Sequence, residues 1–132
     1  MHLPDPFFNE IVDAHVDIEC WLSGRAQPDR LAPLLARFST EFSMITLQGA
    51  TIGHAGVAAL FSHGHGARPA LAIGIDELRG IAVWSDGAVI GYRETQTDGQ
   101  GRRTVRRSTA VLRREADGHI VWLHLHETPV TA

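Results

Sequence analysis

Hydrophobic residues near the N-terminus recur with the period of an α-helix. Within residues 5–24 they return every three or four positions, which is the spacing of one helix face. The members of this face are Phe7, Ile11, Ala14, Ile18 and Leu22. Asp5 followed by Pro6 is a typical helix start, and Gly24 is a typical stop. The pattern predicts one amphipathic helix over residues 5–24.

Shorter elements are predicted after this helix. A second helix should run from Pro28 to about Arg37, and residues 41–53 are typical of a strand with a turn at Gln48 and Gly49. The following segment returns to a helical composition and ends in glycines at residues 54–66. The first half of the chain is therefore expected to carry the helices.

The pattern changes after Pro69. Long stretches rich in valine, isoleucine, leucine and tryptophan follow, separated by Asp-Gly pairs of the kind found in hairpin turns. These stretches cover residues 70–84, 88–96, 102–116 and 119–128. Helices followed by a four-strand antiparallel meander are typical of the α+β class.

The last predicted strand carries bulky groups on both faces. Strict alternation gives one apolar face and one face of tryptophan and histidine, the first formed by Val121, Leu123 and Leu125 and the second by Trp122, His124 and His126. A sheet with one solvated face normally alternates apolar and polar residues more cleanly. We therefore predict that helices cover one face and that a homodimer partner covers the other. The predicted dimer face consists of Trp84, Trp122, His124 and His126.

Length and composition fit an ordinary globular chain. The 132 residues suit one domain spanning positions 1–132, with 44% hydrophobic and 20% charged residues. The net charge of −3 argues against a nucleic-acid partner. The arginine-rich run over residues 102–114 has no interleaved aromatic side chains that would stack on bases. No nucleic-acid binding is predicted.

The sequence also predicts a cytoplasmic protein. No stretch approaches the ~18 uninterrupted apolar residues of a membrane span, so no membrane partner is expected. The N-terminal segment lacks the basic region and the apolar run of a signal peptide. A single cysteine, Cys20, fits a reducing compartment.

Two histidines on the last strand raise the question of a metal site. His124 and His126 alternate on a strand, so their imidazoles should point to the same side. A zinc or iron site needs a third ligand, for which His63 and His65 are the candidates. In a cupin the glutamate would come several residues later, whereas Glu127 follows directly. We predict no metal and no other cofactor.

His15 is the leading candidate for acid–base chemistry. It lies inside the apolar stripe of the first helix, and Glu19 follows at the i+4 position. Burial would lower the pKa of His15 and the glutamate would raise it, so the imidazole could titrate near neutrality. The alternative is a core histidine held by one hydrogen bond, and the sequence leaves both interpretations open.

The strand over residues 88–96 carries a second polar set. Tyr92, Glu94 and Gln96 share one face, and Arg93 lies on the other. Hairpin register decides which face points inward, because a slip of one residue reverses it. A two-residue turn would place Glu94 opposite Arg79 as a surface ion pair, so the inward face stays open at this point.

Five segments of the chain resemble the NTF2-like superfamily, in particular its DUF4440 and SnoaL-like branches. They are AHVDIECWLSG, FSMITLQG, LFSHGHGARPAL, GYRETQ and RRSTAVLRREADGHIVWLHLHET. The last of them is also similar to the association domain of calcium/calmodulin-dependent kinase, which ends in a similar His-x-His sequence. The resemblance implies a cystatin-like α+β cone, in which N-terminal helices pack in a curved antiparallel sheet around a conical pocket. It implies no single reaction.

The resemblance also implies where the polar residues lie. It places Arg93 inside the pocket, near Glu127, where the two would form a polar anchor. The predicted ligand-binding residues are His15, Glu19, Tyr92, Arg93, Glu94 and Glu127.

Three functions follow as hypotheses. The first is binding of an unidentified small organic molecule in an apolar pocket by a homodimer. The second is a cofactor-independent isomerase, cyclase or lyase with His15 as the acid–base group and a polar group on the sheet as its partner; the candidate catalytic residues are His15 and Glu19. The third is an assembly module that forms oligomers larger than a dimer.

Overall fold

A computed structural model describes residues 5–131 of the chain. The helices are α1 (Pro6–Leu22), α2 (Leu31–Leu35, preceded by a 3-10 turn over Pro28–Arg30) and α3 (His54–Gly64). The strands are β1 (Phe38–Ile45), β2 (Thr51–Gly53), β3 (Ala72–Trp84), β4 (Gly87–Thr97), β5 (Arg103–Arg114) and β6 (Ile120–Val130). Among the described residues no helix is long and apolar enough to cross a membrane. The prediction about a signal peptide rests partly on residues 1–4, which lie outside this range.

Helix α1 begins and ends where the sequence predicts. The Asp5 carboxylate accepts hydrogen bonds from the backbone N–H groups of Phe7 and Phe8 at 2.8 and 3.1 Å, which satisfies two of the free donors of the first turn. After the last turn Gly24 adopts a φ of +83°, a conformation that glycine accepts at little cost. The predicted cap and stop are both confirmed.

The buried face of α1 is interrupted toward its C-terminal end. Its buried residues are Phe7, Asn9, Ile11, Ala14, His15 and Trp21. Two members of the predicted apolar stripe, Ile18 and Leu22, are only half-buried because they border a cavity rather than packed side chains.

The six strands form one sheet in the order β2-β1-β6-β5-β4-β3. Strands β3 to β6 pair antiparallel with their sequence neighbours, which confirms the predicted meander. Strand β1 joins the free edge of β6 in parallel, and the short strand β2 turns back antiparallel to β1. The N-terminal helices pack on the inner, concave face of this curved sheet, so the predicted α+β cone is also confirmed.

A bulge in β6 changes which residues face inward. Leu112 of β5 pairs with Trp122, but the preceding Val111 pairs with His124, so Leu123 has no partner on the neighbouring strand. An extra residue in one strand reverses the alternation beyond it. Trp122 therefore points to the same side as Leu125 and away from His124.

Trp122 consequently lies in the core, and the predicted place of this residue on the dimer face is wrong. Its side chain is 2% exposed and belongs to the cluster of Phe38, Ile11 and Leu112 between α1 and the sheet. The error came from applying strict alternation through Leu123.

Arg37 fixes the position of α1 on the sheet. Its guanidinium donates to both oxygens of Glu10 at 2.8 and 2.7 Å, and to Asp17 at 3.1 and 2.7 Å. The Glu10 carboxylate also accepts a hydrogen bond from the indole N–H of Trp122 at 3.0 Å. These contacts set the rotation of the helix and direct the face that carries His15 toward the sheet.

Candidate functional site

A cavity of about 180 Å³ opens between α1, α3 and the inner face of the sheet. Its walls are apolar and come from four elements: Ile18, Leu22, Phe38, Phe42, Met44, Val57, Leu60, Phe61, Trp122 and Leu125. Its polar side chains come from α1, β4, β5 and β6: His15, Glu94, Gln96, Arg106 and Glu127. A larger hollow of about 490 Å³ beside α2 and β1 is a shallow surface depression without buried ionisable groups in its lining. The inner cavity is therefore the candidate site.

His15 is held by two acceptors. Its Nδ1 atom lies 2.7 Å from the carbonyl oxygen of Ile11, and its Nε2 atom lies 3.2 Å from Oε1 of Glu94. A carbonyl oxygen only accepts, and an ionised carboxylate does the same, so both ring nitrogens act as donors. Burial lowers the pKa of His15, but the hydrogen bond and charge of Glu94 together with the Ile11 carbonyl outweigh it, and the pKa is raised. The two acceptors and the raised pKa both favour the imidazolium form of His15.

Glu94 is the ionised partner of this pair. Its second oxygen accepts a hydrogen bond from the Gln96 amide at 2.7 Å, and the Gln96 carbonyl accepts from Arg68 at 2.7 Å. Burial raises the pKa of Glu94, but the hydrogen bond and charge of His15, the Gln96 amide and the charge of Arg106 together lower it to about 2. The carboxylate is therefore charged at any physiological pH.

Arg106 and Glu127 form a second, largely buried pair that also lines the cavity. The NH1 atom of Arg106 lies 3.2 and 3.3 Å from the two Glu127 oxygens, and the side chains are 15% and 10% exposed. Burial raises the pKa of Glu127, the charge of Arg106 opposes this, and the charge of Glu94 adds to the rise. The net effect is a raised pKa, so Glu127 takes up a proton more readily than an exposed glutamate.

Two aromatic rings enclose His15. Tyr92 and Trp122 meet it edge-on, with ring centroids 5.4 and 6.0 Å away. Burial, with the charges of Glu94 and Glu127, raises the pKa of Tyr92 well above its usual value, so its hydroxyl stays protonated. Together with the lining of the cavity, these rings leave His15 only 5% exposed.

The family of this chain is shown by its similarity to a solved structure. No family model matches, and no curated protein matches. The crystal structure of an NTF2-like protein of unknown function from Pseudomonas aeruginosa is 42% identical, with a TM-score of 0.90, over 95% of this chain and 98% of that one. The chain belongs to the NTF2-like family.

More distant structures share the NTF2-like fold. A candidate calcium/calmodulin-dependent protein kinase type II association domain from Thiobacillus denitrificans is 21% identical, with a TM-score of 0.74 over 99% of both chains. A candidate dehydratase of the NTF2-like family from Streptomyces avermitilis is 17% identical, with a TM-score of 0.72 over 98% of this chain and 100% of that one. At these identities the likeness extends to the fold alone. The DUF4440 or SnoaL-like branch stays a prediction.

The NTF2-like cone brings together part of the predicted site. His15, Glu94 and Glu127 border the cavity, and Tyr92 lies behind His15. Glu19 does not: its carboxylate accepts from the backbone N–H of Ile73 at 2.6 Å and from Arg25 at 2.7 Å. The partner of His15 is therefore Glu94 from the sheet, because the side chain of Glu19 turns toward β3.

Arg93 lies on the outer face of the NTF2-like sheet, so the predicted pair with Glu127 does not form. Its guanidinium donates to Asp76 at 2.8 Å and contacts Glu77 at 2.9 Å. The alternative pair of Glu94 with Arg79 does not form either, since Glu94 stands opposite Ile75. Irregularities in β3, with Glu77 at a φ of +53°, shift the register that a regular two-residue hairpin would give.

Arg106 and Gln96 are polar residues of the cavity that the predicted ligand-binding set does not contain. Arg106 lies in the arginine-rich run over residues 102–114, although alternation along β5 carries a signal for it. Arg106 shares a face with Ser108, Ala110 and Leu112, all of which are buried. An arginine at the end of an apolar inner face is a better candidate for a pocket than its neighbour Arg107, which is exposed.

The His-x-His sequence lies outside the cavity of this NTF2-like chain. His124 and His126 stand opposite Val111 and Thr109 on the outer face, and Nδ1 of His124 lies 2.8 Å from the Ser43 hydroxyl. His65 stacks on Trp21 at a centroid distance of 4.1 Å, so it is committed elsewhere. Within residues 5–131 no three histidine, cysteine or acidic side chains come together as metal ligands.

Proposed function

We propose that this chain, as one NTF2-like domain over residues 1–132, binds a small organic molecule in the inner cavity. The observation that carries the proposal is the contrast within the cavity: its apolar walls also contain the buried pair His15–Glu94 and the largely buried pair Arg106–Glu127. Burying charged groups costs desolvation free energy even when the groups are paired. Paired charges that line an apolar cavity therefore favour a binding function over a purely structural one.

The size of the cavity limits the ligand. At about 180 Å³ it is smaller than the ~300–1,000 Å³ of pockets that hold drug-sized molecules. A compact molecule fits best, with an apolar body along the walls and one polar group near His15, Arg106 and Glu127.

The proposal is tested by filling the cavity. Met44 lines the wall and is half-buried. Substitution Met44→Trp should abolish binding of apolar probes such as indole and benzyl alcohol, whereas Met44→Leu, which nearly conserves volume, should retain it. Binding is followed by amide chemical shifts of the cavity-lining residues. Probe binding by Met44→Trp as strong as by the wild type would contradict the proposal, and so would the absence of binding by the wild type.

A second proposal is proton transfer by His15 in a cofactor-independent isomerase, cyclase or lyase. It is supported by an imidazolium that borders the cavity and is oriented by a buried carboxylate, the arrangement expected of a general acid. To transfer its Nε2 proton to a ligand, His15 has to exchange the contact with Glu94 for one with the ligand. The related candidate dehydratase is compatible with such chemistry but has only the fold in common.

We also propose a homodimer through the outer face of the sheet. Ile81 and Trp84 are 48% and 45% exposed there, and each covers a glycine of β4, Gly91 and Gly87. Next to them Val89, Val111 and His124 form a row across three strands. Large exposed apolar groups on a sheet face are typical of a protein contact. Oligomers above the dimer would indicate the assembly function instead.

A further inference from the structure

Arg106 makes poor use of its hydrogen-bonding capacity. One nitrogen, NH1, serves both oxygens of Glu127 at 3.2 and 3.3 Å, although charge-assisted hydrogen bonds are typically ~2.7–2.9 Å long. Its Nε atom is buried and has no hydrogen-bond partner among residues 5–131. Guanidinium groups bind carboxylates best through two parallel hydrogen bonds, and Glu127 does not provide this geometry. A buried arginine with spare donors at a cavity is a potential anchor for a ligand.

The charges around the cavity favour one class of ligand over two others. In the two ion pairs His15 and Arg106 carry positive charge and Glu94 and Glu127 carry negative charge. The charges that line the cavity therefore sum to zero. A cation would be a third positive charge beside His15 and Arg106. A neutral molecule can offer Arg106 only uncharged acceptors, whose hydrogen bonds are roughly half as strong as those of a carboxylate. An anion would accept hydrogen bonds from the free donors of Arg106, provided that one of the two carboxylates is neutralised by taking up a proton.

Glu127 is the carboxylate that can do so. It is faced by His15 from α1, by Glu94 and Tyr92 from β4 and by Arg106 from β5, whereas α3 and β1 contribute only apolar side chains to the cavity. Glu94 is fixed by His15 and Gln96, so its charge is retained. Glu127 has the long contact with Arg106 and the mutual repulsion with Glu94, so protonation of Glu127 removes the least stabilisation.

We propose that the cavity takes a small carboxylate with an apolar body, which replaces Glu127 on the guanidinium of Arg106 while Glu127 takes up one proton from solvent. This inference rests on the proposed binding function and adds the class of ligand. The apolar body lies against the walls formed by Phe42 and Leu125, and the ligand carboxylate makes the two parallel hydrogen bonds that Glu127 does not. Binding and proton uptake are then coupled, and affinity falls as pH rises.

The test compares two carboxylates with their amides, benzoate with benzamide and butyrate with butyramide, by titration calorimetry. We expect each carboxylate to bind the wild-type protein about tenfold more tightly or better, since it forms charge-assisted hydrogen bonds with Arg106. Measurements in phosphate and in Tris, which differ in ionisation enthalpy, should reveal proton uptake on carboxylate binding and none on amide binding.

Two variants make the test specific. Arg106→Gln should lose the preference for carboxylate over amide and should still bind the amide. Arg106→Lys keeps the positive charge but lacks the two parallel donors of a guanidinium, so its preference should be intermediate between those of the wild type and Arg106→Gln. Glu127→Gln should bind carboxylates at least as tightly as the wild type, without proton uptake and without dependence on pH. The variant Glu127→Gln keeps the proposal testable if Arg106→Gln does not fold.

The outcomes distinguish a failure of the carboxylate proposal from a failure of the proposed binding function. Amides that bind as tightly as carboxylates, carboxylate binding without proton uptake, or an unchanged preference in Arg106→Gln would overturn the carboxylate proposal and leave the cavity as a binding site. If neither carboxylates nor amides bind, and indole and benzyl alcohol fail as well, the proposed function is wrong together with this inference.

Discussion

Both ring nitrogens of His15 face atoms that accept hydrogen bonds, and this determines how the residue contributes to stability. Because the pKa of His15 is raised above 6.5 in the folded chain, its contribution is complete below about pH 6.5 and is lost as pH rises through the folded pKa. The pKa of Glu94 is lowered from 4.5 to about 2, so its contribution is complete above pH 4.5 and is lost as pH falls toward 2. The pair is stable between these limits.

Replacing Glu94 should therefore reverse the behaviour of His15. In Glu94→Gln the carboxylate charge is gone and burial dominates, so the pKa of His15 should fall below 6.5, as measured by NMR titration of the imidazole. Loss of one partner of a buried pair should also lower the free energy of unfolding by about 3–5 kcal/mol in urea denaturation.

Glu77→Gln is the matched control for this experiment, because Glu77 is an exposed carboxylate on the outer face, paired with Arg93 and Arg107. It should change stability by less than ~1 kcal/mol and leave the titration of His15 unaltered. If His15 in Glu94→Gln still titrates above 6.5, another group than Glu94 holds the proton. A pKa that falls as expected would be compatible with His15 as an acid–base group but would not by itself demonstrate catalysis.

At the scale of elements, the sequence predicts more about position along the chain than about faces. The hydrophobic period, the helix caps and the Asp-Gly turns are sufficient to predict the positions of α1, α3 and the meander, because each of these signals is local in sequence. Alternation gives the wrong face for Trp122 because β6 contains an extra residue, whereas the inward place of Arg93 came from the resemblance. Leu123 in β6 and the irregular stretch around Glu77 in β3 each shift the alternation, and no residue type at these positions announces it.

The partners of the site residues show the same limit. The inward direction of Glu94 is one of two possibilities that the sequence leaves open. Glu19 is named as a neighbour of His15 because it lies one helical turn away, whereas the polar partner expected on the sheet could not be named. The observed partner is Glu94 of β4, and it lies 79 residues after His15 in the sequence. Only the packing of α1 across the sheet, fixed by Arg37, brings the two side chains together.

The bulge in β6 leads to a prediction about Trp122. Because its ring is in the core and its indole N–H binds Glu10, Trp122→Ala should lower the free energy of unfolding by about 3–5 kcal/mol. Val130→Ala, at the exposed end of the same strand, should cost less than ~1 kcal/mol and serves as the control. Chemical denaturation measures both. Equal and small effects would mean that β6 follows strict alternation and that Trp122 faces outward.

At the scale of the whole molecule, we propose different roles for the two faces of the sheet. The inner face is closed by α1 and α3 around the cavity, whereas the outer face carries the apolar row of Val89 and Val111 together with Trp84 and Ile81. The cavity is lined by residues of one chain, so the proposed binding at Arg106 would not require a partner subunit. Association and ligand binding should then be separable by mutation.

Val111→Glu provides the test of this separation. Val111 lies mid-sheet between Val89 and His124, so a carboxylate there would be desolvated in a dimer contact, and stable homodimers bury ~1,200–2,000 Å² that such a charge would interrupt. Sedimentation equilibrium at micromolar concentration should show a dimer for the wild type and a monomer for Val111→Glu. Thr40→Glu, exposed on β1 near the opposite end of the strand order, should remain dimeric. A monomeric wild type would refute the dimer, and larger oligomers that persist in Val111→Glu would locate assembly on another surface.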